Sequence, residues 1–408
     1  MEKVLSQQKI LIVTEYFYPE EFKINEIADA WSEKGYEVDI LTQTPTYPFG
    51  EVFDGYKNRW FYKDNYHGMT VYRVKAVTGY KTSLYKKLLK YFTFMILGSF
   101  VSLKIGKKYD YIFGFDVGAL TGMVPAVLLQ KFYGKKVTLW IQDVWPDSVY
   151  AYGFKKRKFL EFILDGFVKF VYKNSSALAV SGKGFIKRIQ PYVEDDKKIE
   201  YSPNWADKLD EDLTPFKFSQ NEKVHFTFAG NIGTVQNLDN IIKAFGSLDS
   251  ADLQKAQLNI IGDGSYLEEL KEIAKKSNFQ NIVFWGRKPR GEMSRYFKAS
   301  GFLIVSLVNK PIFSLTVPAK TQTYIAAKKP ILAILNGDAA EIVTDNTLGY
   351  SADPDNIEEI RDVFRKAIHT PQEELEQFMH NCEILTENIF NKEKIIDGLL
   401  NLTVSSGK

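Results

Sequence analysis

His225–Phe245, HFTFAGNIGTVQNLDNIIKAF, decides the fold. The run His225 to Ala229 predicts a buried strand, Gly230 to Gln236 a glycine-containing loop, and Leu238, Ile241, Ile242 and Phe245, spaced i, i+3, i+4, i+7, one face of a helix. Strand, glycine loop and helix together are the build of an anion site. Glycines let backbone N–H groups approach an oxyanion, and the helix N-terminus adds the favourable end of its dipole. A glycine turn with no ligand gives the same letters, so on this stretch alone both readings stand.

Outward from this stretch the pattern repeats. Strands are expected at Leu258–Ile261, Ile282–Trp285, Phe302–Val305 and Ile331–Ile334, with helices between them. Ligands of open parallel sheets bind beyond the carboxyl ends of the strands. The loops at Gly230, Gly262–Gly264, Gly286–Arg287 and Ser306–Val317 are therefore expected on one rim. The first half has the same grammar, with strands at Ile10–Val13, Glu37–Leu41, Val71–Val74, Tyr111–Phe113, Val137–Ile141 and Ala177–Val180. Its clearest helices are Leu84–Ile105 and Phe159–Tyr172, and Gly35 stops the first one. Tyr201-Ser-Pro-Asn-Trp and the polar stretch 207–223 read as a hinge. Asn391–Leu400 lies beyond the second sheet and is expected to cross back to the first domain.

Composition narrows the partners. Lys plus Arg (53) nearly cancels Asp plus Glu (50), so no nucleic-acid partner is expected. A single cysteine, Cys382, and four histidines give little material for disulfides or a metal cluster, so a cytoplasmic protein with no metal or cofactor is expected. No apolar leader precedes the first strand. The longest apolar run, Tyr91–Leu103, is shorter than the ~20 residues of a membrane span, so no crossing is expected. No G-x-G-x-x-G follows the first strand, which disfavours a dinucleotide enzyme.

Between Asp64 and Asp110 there is no acidic residue, and Lys81, Lys86, Lys87 and Lys90 interleave with Tyr80, Tyr85, Tyr91, Phe92 and Phe94. One reading is a helix docking on an anionic membrane surface, helped by the cluster Lys155-Lys-Arg-Lys158. The other is a core face, Leu88, Leu89, Phe92, Met95 and Ile96, with lysines snorkelling beside it.

The residues resemble a family, the retaining GT4-type glycosyltransferases of the GT-B fold, in the branch that builds bacterial surface polysaccharides. The resemblance rests on Leu11-Ile-Val-Thr-Glu-Tyr-Phe-Tyr-Pro-Glu20, Lys34-Gly-Tyr-Glu-Val-Asp-Ile-Leu41 and Asp143-Val-Trp-Pro-Asp147 in the first half. In the second it rests on Ala229-Gly-Asn-Ile-Gly233, Ile261-Gly-Asp-Gly264, Phe284-Trp-Gly-Arg287, Val317-Pro-Ala-Lys-Thr-Gln-Thr-Tyr324 and Lys329-Pro-Ile-Leu332. It implies an α/β chain of two Rossmann-like doubly wound domains facing a cleft. The first, 1–205 with a returning helix in 387–408, would bind the acceptor, and 206–386 the nucleotide sugar.

The implied activity is transfer of a sugar from a UDP-type donor, with retention and without metal, to a lipid-linked saccharide at the inner face of the cell membrane. A noncatalytic nucleotide-sugar-binding subunit and a UDP-sugar 2-epimerase are the alternatives. The resemblance places Gly230, Asn231 and Gly233 at the diphosphate, Gly286, Arg287 and Lys288 at the base, and Ser314, Leu315, Thr316 and Val317 at the diphosphate and donor sugar. Lys320 would be the cation that receives the leaving charge, against the alternative of a solvated helix lysine. Glu15, Tyr18, Asn25 and Asp147 fall on the acceptor side. Asp143 is either a catalytic carboxylate there or a capping or turn aspartate before Trp145-Pro146. The pattern departs from the family where two glutamates are usual: Leu315 and Thr323 stand there, leaving Thr323 to meet the ribose.

Overall fold

Ile10 to Thr14 are buried without interruption, the mark of a strand covered on both faces. This strand, β1 (Lys9–Thr14), lies mid-sheet in the first of two units. A computed structural model describes residues 8–80, 83–151, 157–194, 198–206, 208–218, 223–276 and 279–405. Unit 1 is Met1–Ser202 with Ile396–Lys408, and unit 2 is Pro203–Ile395.

In unit 1, β1 is followed by α1 (Lys23–Glu33), β2 (Glu37–Gln43), β3 (Phe61–Tyr66), β4 (Met69–Val74), α2 (Leu84–Ile105), β5 (Tyr111–Asp116) and α3 (Val124–Tyr133). Then come β6 (Lys136–Ile141), α4 (Asp147–Ala151), α5 (Lys158–Lys173), β7 (Ala177–Val180), α6 (Gly184–Ile189) and β8 (Lys198–Tyr201). The sheet order is β3-β4-β2-β1-β5-β6-β7-β8. All pairs are parallel except β3 with β4, a hairpin whose polar, half-exposed outer strand carries little sequence signal.

Unit 2 runs β9 (Val224–Asn231), α7 (Leu238–Gly246), α8 (Ser250–Lys255), β10 (Ala256–Asp263), α9 (Leu267–Lys276), β11 (Ile282–Gly286), α10 (Met293–Ala299) and β12 (Phe302–Ser306). It continues α11 (Pro311–Ser314), α12 (Ala319–Ala326), β13 (Ile331–Ile334), α13 (Asp338–Asp345), β14 (Gly349–Ala352), α14 (Ile357–Ile368) and α15 (Gln372–Asn388), and α16 (Lys392–Ser405) carries the chain back into unit 1. Its order, β11-β10-β9-β12-β13-β14, is the Rossmann order, and every pair is parallel. The i, i+3, i+4, i+7 face of α7 buries Leu238, Ile241, Ile242 and Phe245 against Phe226 and Phe228 of β9.

The boundaries differ from the expected ones at 205 and 387. Leu385 and Phe390 belong to the core of unit 2, so the chain returns only at Ile396. There the Trp31 indole donates to the Ile396 carbonyl at 3.3 Å, and Lys34 pairs with Asp397 at 3.0 Å.

Helix α2 corrects two expectations. Its buried stripe is Lys90, Phe94, Gly98 and Ser102, an i, i+4 series of small and polar groups around one aromatic. Gly98 lets the helix come close to Pro125 of α3, whose Cγ would stand 3.0 Å from an added Cβ. Leu88, Leu89, Phe92 and Ile96, read as a core face, are instead exposed, as is Phe100. The helix also exceeds the apolar run seen in sequence: Leu88–Lys108 is long and apolar enough to cross a membrane by length and composition, and only 22% of its most apolar window is buried.

Candidate functional site

In each sheet the strand order reverses once, between β1 and β5 in unit 1 and between β9 and β12 in unit 2, and crevices form at such points. In unit 2 the crevice is a cavity of about 700 Å³ walled by the loops after β9, β10 and β11 and by the start of α12. That volume is in the range of small-molecule sites.

Two loops form its floor by direct backbone contact. An added Cβ at Gly262, where φ is +146°, would lie 1.8 Å from the Gly230 carbonyl oxygen, and one at Gly264 would lie 2.2 Å from that of Ile232. The Ile232 N–H donates to the Asp263 carbonyl at 2.9 Å, and the Tyr266 N–H to that of Ile232 at 3.1 Å. Glycine is required here because one chain lies on the other.

Lys320, the second residue of α12, lies across this floor. Its Nζ stands 3.7 Å from the centroid of the Phe228 ring, and a Cβ at Gly230 would stand 2.5 Å from its Cε. Tyr324, one turn further on, fixes the helix to the strand: its hydroxyl accepts from the Ala229 N–H at 3.1 Å and donates to the Ala229 carbonyl at 3.3 Å. Among the described residues no carboxylate pairs with Lys320, and burial lowers its ammonium from 10.5 to about 7. An unpaired, desolvated cation on a glycine floor is suited to an incoming anion. The alternative of a solvated helix lysine does not describe this side chain.

Gly230, Asn231, Arg287, Lys288 and Thr323 join Lys320 on the wall. Gly286 does not reach it, but its left-handed backbone (φ +66°) turns the chain from β11 into Arg287 and Lys288. Gly233 is off the wall, and its N–H is already used by Gln236 Oε1 at 2.9 Å. The Gly-x-x-Gln spacing of a capping box was the available signal. Ser314, Leu315, Thr316 and Val317 also lie off the wall. The Ser314 carbonyl packs against Gly337, where an added Cβ would lie 1.9 Å away, and the Thr316 hydroxyl donates to Ile312 O at 2.8 Å. The Thr323 hydroxyl donates to Ala319 O at 3.0 Å, which leaves it lone pairs only. Asp263, in the loop expected on the rim, lines the cavity as well, and so does Arg290, which was not singled out from sequence.

Unit 1 collects carboxyls at its reversal point. Glu15 follows β1, Asp116 ends β5, and Asp143 lies two residues past β6, so three adjacent strands deliver them. Glu15 and Asp116 are 3% and 1% exposed, and none of their four carboxyl oxygens has a hydrogen-bond partner. Burial pushes Glu15 up to about 7, with Lys90 pulling it back and Glu20 pushing further. Burial holds Asp116 well above the carboxylate range, and Asp143 and Glu15 add to it. Burial raises Asp143 too. Asp143 caps nothing: α4 starts at Asp147, and no hydrogen bond from Asp143 is formed among the described residues. Asp116 was missed because one acidic letter closing a strand shows neither its burial nor its neighbours.

Other acceptor-side expectations resolve differently. Asn25 braces its own loop, accepting from the Tyr18 N–H at 3.2 Å and donating to Glu20 O at 2.8 Å. Tyr18 is exposed and its carbonyl accepts from Arg73. Asp147 is held by a two-pronged ion pair to Arg188. Lys90, expected at a membrane surface, is 2% exposed. It donates to the Tyr16 hydroxyl at 2.5 Å and lies over the Tyr16 and Tyr80 rings, because the buried Glu15 and Glu20 need a counter-charge. Lys81, Lys155 and Lys156 and the side chain of Lys87 lie outside the described residues. Lys86, Arg157 and Lys158 are exposed.

Comparison with known proteins bears on the fold. The family model described as glycosyl transferases group 1 matches residues 210–383. The chain is similar to the probable glycosyltransferase WbjE of Pseudomonas aeruginosa, 27% identical over 58% of this chain and 62% of that protein, so it spans less than two thirds of that relative. Among solved structures it is similar to the lipopolysaccharide outer core galactosyltransferase WaaB (TM-score 0.67, 11% identity, 98% of this chain and 100% of that one). It is similar also to Anabaena Alr3699/HepE in complex with UDP (TM-score 0.66, 11% identity, 98% and 100%). The fold is that of the GT-B glycosyltransferases, two Rossmann-like units, and residues 210–383 are similar to the glycosyl transferases group 1 family.

Proposed function

We propose that this protein is a glycosyltransferase of surface-polysaccharide synthesis that moves a sugar, with retention, from a UDP-type donor to a hydroxyl of a lipid-linked saccharide. The observation that carries the reading is Lys320, an unpaired cation laid on the Gly230 floor of the cavity at the strand reversal of unit 2. Departure of a nucleoside diphosphate builds negative charge on its oxygens, and a preorganised cation lowers the barrier by meeting that charge. The loop amides of Ile232 and Gly233 are already engaged, so the charge falls to Lys320 and to Arg287 and Lys288 beside it. The WaaB and HepE structures support the polysaccharide and UDP parts of the reading by what they are and bind.

The test is calorimetry with UDP. Lys320→Ala should weaken binding roughly ten- to hundredfold, the effect of a lost charge-assisted contact of ~1.5–3 kcal/mol. Unchanged affinity removes Lys320 from the site, and no UDP binding by the unaltered protein rejects the donor assignment. The departure at Thr323, whose hydroxyl proton is spent on Ala319, favours a second reading, a subunit that binds nucleotide sugar without turning it over. Release of UDP from a donor panel in the presence of membrane extract separates the two.

A further inference from the structure

The outward apolar face of α2 does not lie over empty surface. Its first three turns, with Leu88, Phe92 and Met95, form one side of a groove of about 520 Å³; Leu160, Ile163 and Phe167 of α5 form the other. Gly118, Ala119 and Trp145 close its end, and the Trp145 indole is fixed there by donating to Gly118 O at 3.1 Å. The lining is almost wholly carbon. Two features identify an occupant. The end walls come from the loops that follow Asp116 and Asp143, so the groove ends on the loops that leave the carboxyl-bearing strands of unit 1. The residues that open α5, Arg157 and Lys158, are exposed cations, and α2 carries no acidic residue. On α5, Asp165 is engaged by the Tyr192 hydroxyl at 2.7 Å and Glu161 is the other acid of its first turns. The volume suits one small ligand, whereas a partner helix is 10–12 Å across.

We propose that this groove holds a single hydrocarbon chain with an anionic head, the lipid end of the acceptor, its head group met by Arg157 and Lys158. The assignment rests on the lipid-linked acceptor of the reading above. The probe is farnesyl phosphate below its aggregation concentration, followed by Trp145 emission, with Trp145→Phe identifying that signal. A saturable shift is expected, weakened at least tenfold by Ile163→Glu or Phe92→Glu. Phe100→Glu alters a more exposed residue of α2 outside the groove and should leave it unchanged. Arg157→Glu with Lys158→Glu should weaken farnesyl phosphate but not farnesol, and inorganic phosphate alone should give no shift. A response that is absent, or lost equally with Phe100→Glu, overturns the groove in favour of adsorption on a general apolar face or on vesicles. UDP affinity in the same samples is read separately: its failure beside intact chain binding rejects the donor reading, and the converse rejects only the groove.

Discussion

Lys320 and the unit 1 carboxyls are both desolvated, and pH moves them in opposite senses. Lys320 titrates near 7 when the cavity is free, well below its ordinary 10.5. Across that window the folded protein holds fewer protons than the unfolded chain, so this group's contribution to stability rises with pH and its burial cost is fully felt below about 7. A bound diphosphate restores the ammonium. UDP binding should therefore take up a proton above about pH 7, and affinity should fall as pH rises, by at most about tenfold per pH unit. Calorimetry in buffers of different ionisation enthalpy measures both, and pH-independent affinity would contradict the contact. Glu15 titrates in the folded state near 7 instead of 4.5. Its penalty is absent below 4.5, grows as the unfolded chain ionises, and is complete above about 7, with a ceiling near ~3 kcal/mol at ~1.4 kcal/mol per tenfold. Asp116 has the same sign and no cation acting on it. Asp116→Asn should raise the melting temperature of unit 1 more at pH 8 than at pH 5, whereas Glu15→Gln gains less because Lys90 loses a counter-charge. An Asp116→Asn gain equal at both pH values would mean the carboxyl is ionised in both states.

Among the elements, the strand–loop–helix from β9 to α7 was legible because periodicity and glycine spacing are local, and Leu238, Ile241, Ile242 and Phe245 lie inside as spaced. The orientation of α2 was not. Apolar letters at i, i+3 and i+4 look alike whether they meet a core or a groove, and Lys90 goes inside because of Glu15 and Glu20, some seventy positions earlier. Sequence can show that an element is amphipathic but not what waits on each side. The same limit hid the Gly262–Gly230 contact, which depends on two strands lying side by side. Gly262→Ala should cost roughly 2–4 kcal/mol, the scale of overpacking added to a strained backbone, and should abolish UDP binding with it. Gly291→Ala, with nothing within 4 Å of the new methyl, is the matched control. Equal melting temperatures for the two variants would show that the loops can part.

For the whole molecule, the two reversal points place anion-binding groups in unit 2 and carboxyls in unit 1, so substitutions should sort by unit. Asp143→Asn should leave UDP affinity within about twofold of the unaltered protein and lower turnover by roughly ten- to a thousandfold, on the scale of general acid–base groups. Reduced UDP affinity with normal turnover would reverse the assignment of the units. The chain leaves unit 1 after Ser202 and re-enters it at Ile396, so unit 2 is an insertion between a first part and a short last part. Synthesis then delivers the pieces out of structural order. On the ribosome the inserted unit can finish folding while Trp31 still lacks the Ile396 carbonyl and Lys34 still lacks Asp397. The earlier-made unit is completed last, and a nascent chain halted before position 396 would hold a finished unit 2 cavity and a first unit whose indole still lacks the Ile396 carbonyl.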